Sequence, residues 1–246
     1  GAASAGVPAI AVAAGPMLTG SYQGERLGAC TDCRRYWGAY RRGEIDSETL
    51  QQVESNLAVT SGTCAVMGTA STMACLVEAL GMMLPGGASI PSVHADRLRH
   101  AEESGMRAVE LIDSHLTPER IMTPASFENA LRVLHAIGGS TNGIIHLTAI
   151  AGRLGIELTL EQLDAISDST PVLVNLKPSG SAYMEDFHRS GGMQVVMQEL
   201  KPLLHLDALT ITGQTWRELL DVPYTFPQWQ DVIRPLGSPY QPQGAQ

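Results

Sequence analysis

The stretch from Ser61 to Gly87, SGTCAVMGTASTMACLVEALGMMLPGG, carries a single charged side chain, Glu78, and its first half is crowded with Gly, Ala, Ser and Thr. Its apolar positions recur through Leu84, which predicts a buried helix. Ser61 or Thr63 can cap the start, and Pro85-Gly86-Gly87 stops it. Cys64 then falls at or just before a helix N-terminus. There the unpaired N–H groups and the positive end of the dipole favour a thiolate, the form that attacks electrophiles and binds soft metals. Small side chains on the following turns let another backbone, or a cofactor, approach closely. The same residues also suit plain packing, because free cysteine is among the most buried residue types.

A chain of 246 residues can build one large domain or two small ones around a sizeable core. Aromatic residues make up only 5% of it while Gly and Ala are plentiful, a mix that fits packed α/β layers better than a β-sandwich. The formal net charge of −9 leaves no basic field for nucleic acid. Arg34, Arg35, Arg41 and Arg42, broken by Tyr36, Trp37 and Tyr40, read as one amphipathic surface helix. No run of apolar residues is long enough to span a membrane. The Ala- and Val-rich opening, Gly1 to Leu18, lacks the charged start of a signal peptide. Four unevenly spaced cysteines make no disulfide framework, so a reducing cytoplasm is the expected location. The chain begins at Gly1 in what reads as mid-element, so a fragment or processed piece is expected.

Val7 to Ala13 reads as a buried strand ending at Gly15-Pro16, and Gly20 to Gly28 as a polar loop. Cys30-Thr31-Asp32-Cys33 is half of a zinc site or a redox pair. A zinc site needs a second pair at matching spacing, yet Cys64 and Cys75 would lie about 16 Å apart along a helix. Helices are expected over Tyr36–Arg42 and Ser47–Ser55, the second capped by Ser47. A charged helix follows from Ala95 to Asp113, where His94, Asp96, His100, Glu102 and Glu103 read as a solvated face rather than metal ligands. Thr123 caps a clear amphipathic helix with Pro124 at its first position and Phe127, Leu131, Leu134 and Ile137 as its stripe. Gly138-Gly139 then leads into Ser140-Thr141-Asn142 at the start of another helix, a place where backbone N–H groups can hold an anion. Pro171 to Leu176 is the best strand signal. It runs into Lys177-Pro178-Ser179-Gly180, and in parallel sheets ligands gather at that end of a strand. His188 reads as a structural histidine. The segment beyond Leu206 holds one short strand–helix unit, and Tyr224 to Gln246, rich in Pro and Gln, reads as a linker or docking segment.

Ser61-Gly62-Thr63-Cys64, with Met67 to Met73 and Glu78 to Pro85, resembles the third cluster cysteine and its helix in the IlvD/Edd family of dihydroxy-acid and sugar-acid dehydratases. Gly15-Pro16-Met17-Leu18, Gly138 to Asn142 and the run 171–193 are similar to the same family. The resemblance implies the family's amino-terminal domain, an α/β fold built as a three-layer α/β/α sandwich with a mostly parallel sheet. Residues 1–205 would form its core, incomplete at the start, and 206–246 a strand–helix unit and linker toward a missing carboxy-terminal domain.

Family members convert a 2,3-dihydroxy acid to a 2-keto acid by losing water. A base takes the C2 proton, cluster iron acts as Lewis acid on the departing 3-hydroxyl, and Mg²⁺ holds the carboxylate and 2-hydroxyl. Carried onto this chain, the resemblance makes Cys64 a ligand of an iron–sulfur cluster, 2Fe–2S or 4Fe–4S. Ser140, Thr141, Asn142, Lys177, Ser179 and Gly180 are expected near the small-molecule hydroxy acid. The family's Cys-Asp-Lys motif, with its magnesium-binding groups, would precede Gly1, and its proposed serine base would follow Gln246. One thiolate cannot hold a cluster. The chain alone is therefore expected to be inactive, with no catalytic residue of its own, as part of a homo-oligomeric parent. Thr69 to Thr72 and Val174 to Leu176 favour an aldonate as substrate. His94 to Arg97 and Leu176 to Gly180 look more like the branched-chain biosynthetic enzyme. Two other readings remain, a noncatalytic α/β interaction domain and a zinc or redox protein using Cys30 and Cys33.

Overall fold

The computed structural model describes residues 1–244. One turn, α1 (Ala2–Ala5), precedes an irregular run and an antiparallel hairpin of β1 (Gly20–Tyr22) and β2 (Glu25–Leu27). Then come α2 (Ala29–Arg41), α3 (Ser47–Ser55), α4 (Thr69–Ala79) and α5 (Ala95–Ser114). They are followed by α6 (Pro118–Ile121), α7 (Pro124–Ala136), α8 (Asn142–Arg153) and α9 (Leu160–Asp168). The last helices are α10 (Met184–Arg189), α11 (Gly192–Leu200) and α12 (Trp216–Leu219).

The core is built around α7, which packs against α4, α8, α9 and α11. Phe127, Ala130, Leu131 and Leu134 are fully buried on it, as the stripe predicts, and face Cys75, Leu76 and Ala79 of α4. The Thr123 side chain accepts from the Ser126 N–H, with Pro124 inside the first turn. Asp46, rather than Ser47, caps α3 by accepting from the Thr49 N–H.

The fold is mixed and rich in helix, and it does not show the expected three-layer sandwich. Among the described residues the only named sheet is the two-stranded hairpin, which occupies the stretch read as a polar loop and turns on Gln23-Gly24. Val7 to Ala13 is extended without a ladder. Its Ala11 N–H donates to Met82 O, and Ile10, Ala11 and Ala13 lie against the core. Pro171 to Leu176 is extended too, but its partner is the far end of the chain. Val172 N–H donates to Gln241 O, Asn175 N–H to Val232 O, and Arg234 N–H to Leu173 O. The bridges to that end, at Val172 and Val174, are antiparallel and isolated, and Leu176 makes a parallel one with nearby Ala182. The stretch from 224 to 244 is thus packed rather than free, because Val232 and Ile233 belong to the main core, as do Ile211 and Trp216 of the unit before it. Ala245 and Gln246, the last of the expected linker, lie outside the described residues.

The helix expected from Ser61 to Leu84 is α4 alone, eleven residues long. Upstream, Met17 N–H donates to Thr63 O and Thr63 N–H to Gly15 O, a single bridge that pins Thr63 beside Pro16 in a stretch otherwise full of bends. Gly62 has φ +131°, a conformation closed to a helix. Downstream, Gly81 at φ +82° ends the helix in a Schellman motif. Its N–H donates to Glu78 O and that of Met82 to Val77 O, four residues before the proline that was expected to stop it.

Candidate functional site

Because α4 begins at Thr69 behind Gly68, Cys64 is not at a helix N-terminus but on the approach to it. It is half-buried, against the small cluster of Ala65, Val66 and Tyr183. The helix dipole therefore gives no account of its thiol. What stands beside it is Cys30, with the two sulfurs 3.9 Å apart. Cys30 lies in the first turn of α2, which starts at Ala29, well before the predicted Tyr36. The negative charge that Cys64 can carry, with some burial, pushes the Cys30 thiol up from its ordinary value. Cys30 is thus paired with Cys64 across 34 residues of chain, a contact that the C-x-x-C spacing does not announce.

The Lys177 loop reaches this segment through its backbone. Met67 N–H donates to Lys177 O and Met184 N–H to Ala65 O, so the residues on both sides of that loop hold the Cys64 segment. The Lys177 ammonium donates to the Tyr183 hydroxyl at 2.7 Å and stands 3.7 Å from Asp32, which is buried. Asp32 also accepts from the Gly28 N–H at 2.6 Å, at the start of α2. Tyr183 Oη lies within 3.3 Å of both Arg26 O and Asp32 Oδ2. Arg26 of the hairpin in turn pairs with Glu185 and Asp186 of α10. Every charge here has an opposite partner, so the network fixes the position of Lys177 and Tyr183 beside the two thiols.

Ser140 and Asn142 come together elsewhere, at the start of α4. Asn142 Nδ2 donates to Thr69 Oγ1 at 2.8 Å, Ser140 Oγ is 3.3 Å from the same hydroxyl, and Ser140 N–H donates to Thr72 Oγ1. Thr141 is exposed and makes no side-chain cap on α8. Ser179 is exposed, and Gly180 closes a turn whose N–H donates to Leu176 O. Of the residues expected near a substrate, Lys177 therefore joins the Cys64 segment directly and Ser140 and Asn142 join it through Thr69. Sequence reasoning missed Arg26, Tyr183 and Glu185 altogether. The one available signal was the charge of Glu185-Asp186 just after Tyr183, which complements Arg26.

An iron–sulfur cluster requires at least three protein ligands in most cases. Among the described residues two sulfurs are in contact, Cys30 and Cys64, with half-buried Cys33 one turn further along α2, while Cys75 is fully buried in the core, where burial holds its thiol protonated. The donor set does not complete a cluster. Asp32, Glu185 and Asp186 are already engaged by Lys177, Arg35 and Arg26, so these three carboxylates form no open pair for Mg²⁺.

Over residues 1–219 the chain matches the family model described as dihydroxy-acid/6-phosphogluconate dehydratase N-terminal, which sets its class as the amino-terminal region of that family. The chain belongs to the dihydroxy-acid/6-phosphogluconate dehydratase family. It is 43% identical over 245 residues to a dihydroxy-acid dehydratase of Caldanaerobacter subterraneus subsp. tengcongensis, covering 99% of this chain and 44% of that protein. It is 42% identical over 240 residues to a 6-deoxy-6-sulfo-D-gluconate dehydratase of Pseudomonas putida, covering 97% of this chain and 41% of the relative. A dihydroxy-acid dehydratase of Sulfurisphaera tokodaii is 41% identical over 242 residues, or 97% of this chain and 43% of its own. The chain thus spans less than half the length of these relatives. No helix among the described residues is long and apolar enough to cross a membrane.

Proposed function

We propose that the chain is the amino-terminal part of a hydro-lyase that takes water from a 2,3-dihydroxy acid to give a 2-keto acid. A sugar acid is the favoured substrate, ahead of the dihydroxy acid of branched-chain amino-acid biosynthesis. The observation that carries this reading is the placing of Cys64: half-exposed, on a segment held by the Lys177 loop, with a second thiol beside it. An accessible thiol on a fixed backbone is what a ligand of a labile metal cofactor requires. The relative named for 6-deoxy-6-sulfo-D-gluconate supports a sugar acid, while the others are named for dihydroxy acids. In this reading an iron–sulfur cluster, with Cys64 as one ligand, and Mg²⁺ belong to the whole protein, as do the catalytic base, the layered sandwich and a homo-oligomeric assembly. The 246 residues alone bind neither cofactor fully and are inactive.

The test compares this chain with a form extended at both ends to the length of its relatives, each reconstituted anaerobically with iron and sulfide. The extended form is expected to take up a cluster and to dehydrate aldonates faster than branched-chain dihydroxy acids, with Cys64→Ser abolishing both cluster and turnover. Full activity in the Cys64→Ser protein would sink the assignment, and turnover of dihydroxy acids alone would reverse the choice of substrate.

A further inference from the structure

His94, Asp96 and His188 offer one ligand atom each, all within 4.8 Å of one another, in a part of the molecule that the cysteine site does not use. His94 is the N-cap of α5, its Nδ1 accepting from the Asp96 N–H and standing 3.4 Å from Asp96 Oδ2. His188 comes from α10, nearly a hundred residues on, and packs edge-on against His94 with ring centroids 5.2 Å apart. A second observation lies in the adjoining cavity of about 340 Å³, lined by Asp96, His100, Glu103 and His188. His100 is 5% exposed. Its Nε2 meets Leu84 O, and its Nδ1 has no hydrogen-bond partner among the described residues. A buried imidazole nitrogen left without a partner costs stability, and His100 stands in the wall of this cavity.

We propose that His94, Asp96 and His188 form a binding site for a divalent transition metal ion of the zinc type, clipping the start of α5 to α10, with water in the adjoining cavity completing the coordination. Two imidazoles and one carboxylate select zinc, cobalt or nickel over magnesium or calcium, which take oxygen ligands. Zinc sits at about 2.0 to 2.2 Å from such ligands, so the three atoms must close to roughly 3.4 Å from one another. His94 and Asp96 are each 46% exposed and make that adjustment by side-chain rotation, in which His94 exchanges the cap bond from the Asp96 N–H for the metal. Asp96 also pairs with Arg99, an exposed side chain that has to swing away toward solvent. The site is distinct from the thiols, although its neighbour Ser92 donates to Ser61 O on the Cys64 segment. It does not depend on the proposed reaction.

Titration of the metal-free chain with Co²⁺, followed by absorption, reads the site. Nitrogen and oxygen ligation gives weak d–d bands, and binding at Cys30 and Cys64 gives strong thiolate-to-cobalt charge transfer. We expect one equivalent of Co²⁺ with d–d bands that persist in Cys64→Ser, are displaced by Zn²⁺, and weaken more than about tenfold in His188→Gln and Asp96→Asn. Zn²⁺ should also raise the melting temperature of the parent chain and not that of His188→Gln. Circular dichroism of the metal-free variants checks that they fold, and Asp96→Asn, at an exposed position, keeps the test decisive should His188→Gln fail. Binding unchanged in both variants, charge transfer alone that vanishes in Cys64→Ser, or no uptake at millimolar Co²⁺ would each overturn the proposal.

Discussion

Glu78 is buried at 1% exposure on α4, with its two carboxylate oxygens accepting from the Gly86 and Ala88 N–H groups at 2.7 and 2.8 Å. Burial holds its pKa up at about 7, while these hydrogen bonds and the Arg97 charge pull the other way. The folded chain therefore keeps a proton that the unfolded chain loses near pH 4.5. By linkage, stability falls as pH rises from about 4.5 to about 7, and the loss is complete above that range. The size of the effect is at most about 3 kcal/mol. Glu78→Gln should flatten this slope in denaturant titrations run between about pH 5 and 8, and an unchanged slope would show that another group carries it. A second residue-level expectation concerns Cys30, whose thiol is held up chiefly by Cys64. Replacing Cys64 with Ser lowers that barrier to ionisation, so alkylation of Cys30 at mildly alkaline pH should speed up a few-fold. Equal rates in the two proteins would mean that the sulfurs do not sense one another.

At the scale of elements, the segment that carries Cys64 is shaped by what it cannot be. A Cβ on Gly62 would lie 2.5 Å from Met17 N, and its φ of +131° is strained for any side chain. Gly62→Ala should cost upward of about 2 kcal/mol and loosen the Cys64 segment, which faster alkylation of Cys64 would report. Retention of parental stability would show that the pairing with residues 15–17 is dispensable. The same glycine explains what the sequence made legible. Absence of charge betrays burial, so α4 and its buried face were readable. The helix start was misplaced because Ser61 and Thr63 resemble caps, whereas Gly62 and the pairing at Gly15 decide the backbone. The amphipathic stripe of α7 and its Thr-Pro start were readable from local spacing alone. The partner of 171–176 was not, since it comes from a Pro-rich stretch with no alternation. Nor could local pattern announce Cys30 beside Cys64, Arg26 on α10, or His188 against His94, because each contact is made only by the folded chain.

On the whole molecule, α5 shows an unusual outer surface. Leu98, Met106, Val109 and Ile112 are between 58% and 76% exposed and fall along one side of the helix, while Ser104 and Leu111 are buried on the other. A stripe of this kind on an otherwise acidic chain favours contact between copies. Sedimentation should show concentration-dependent self-association that Leu98→Glu combined with Ile112→Lys suppresses, and a monomer at all concentrations would refute the expectation. The long-range pairing of the last segment matters in another way. Val172 and Asn175, just ahead of the Lys177 loop, take their backbone partners from Gln241 and Val232. A ribosome makes these partners well after the loop they support. A nascent chain halted at about residue 230 would already contain every thiol, lysine and histidine discussed above, yet the wall behind the Lys177 loop would still be missing, so the site cannot set until the chain has grown past Gln241.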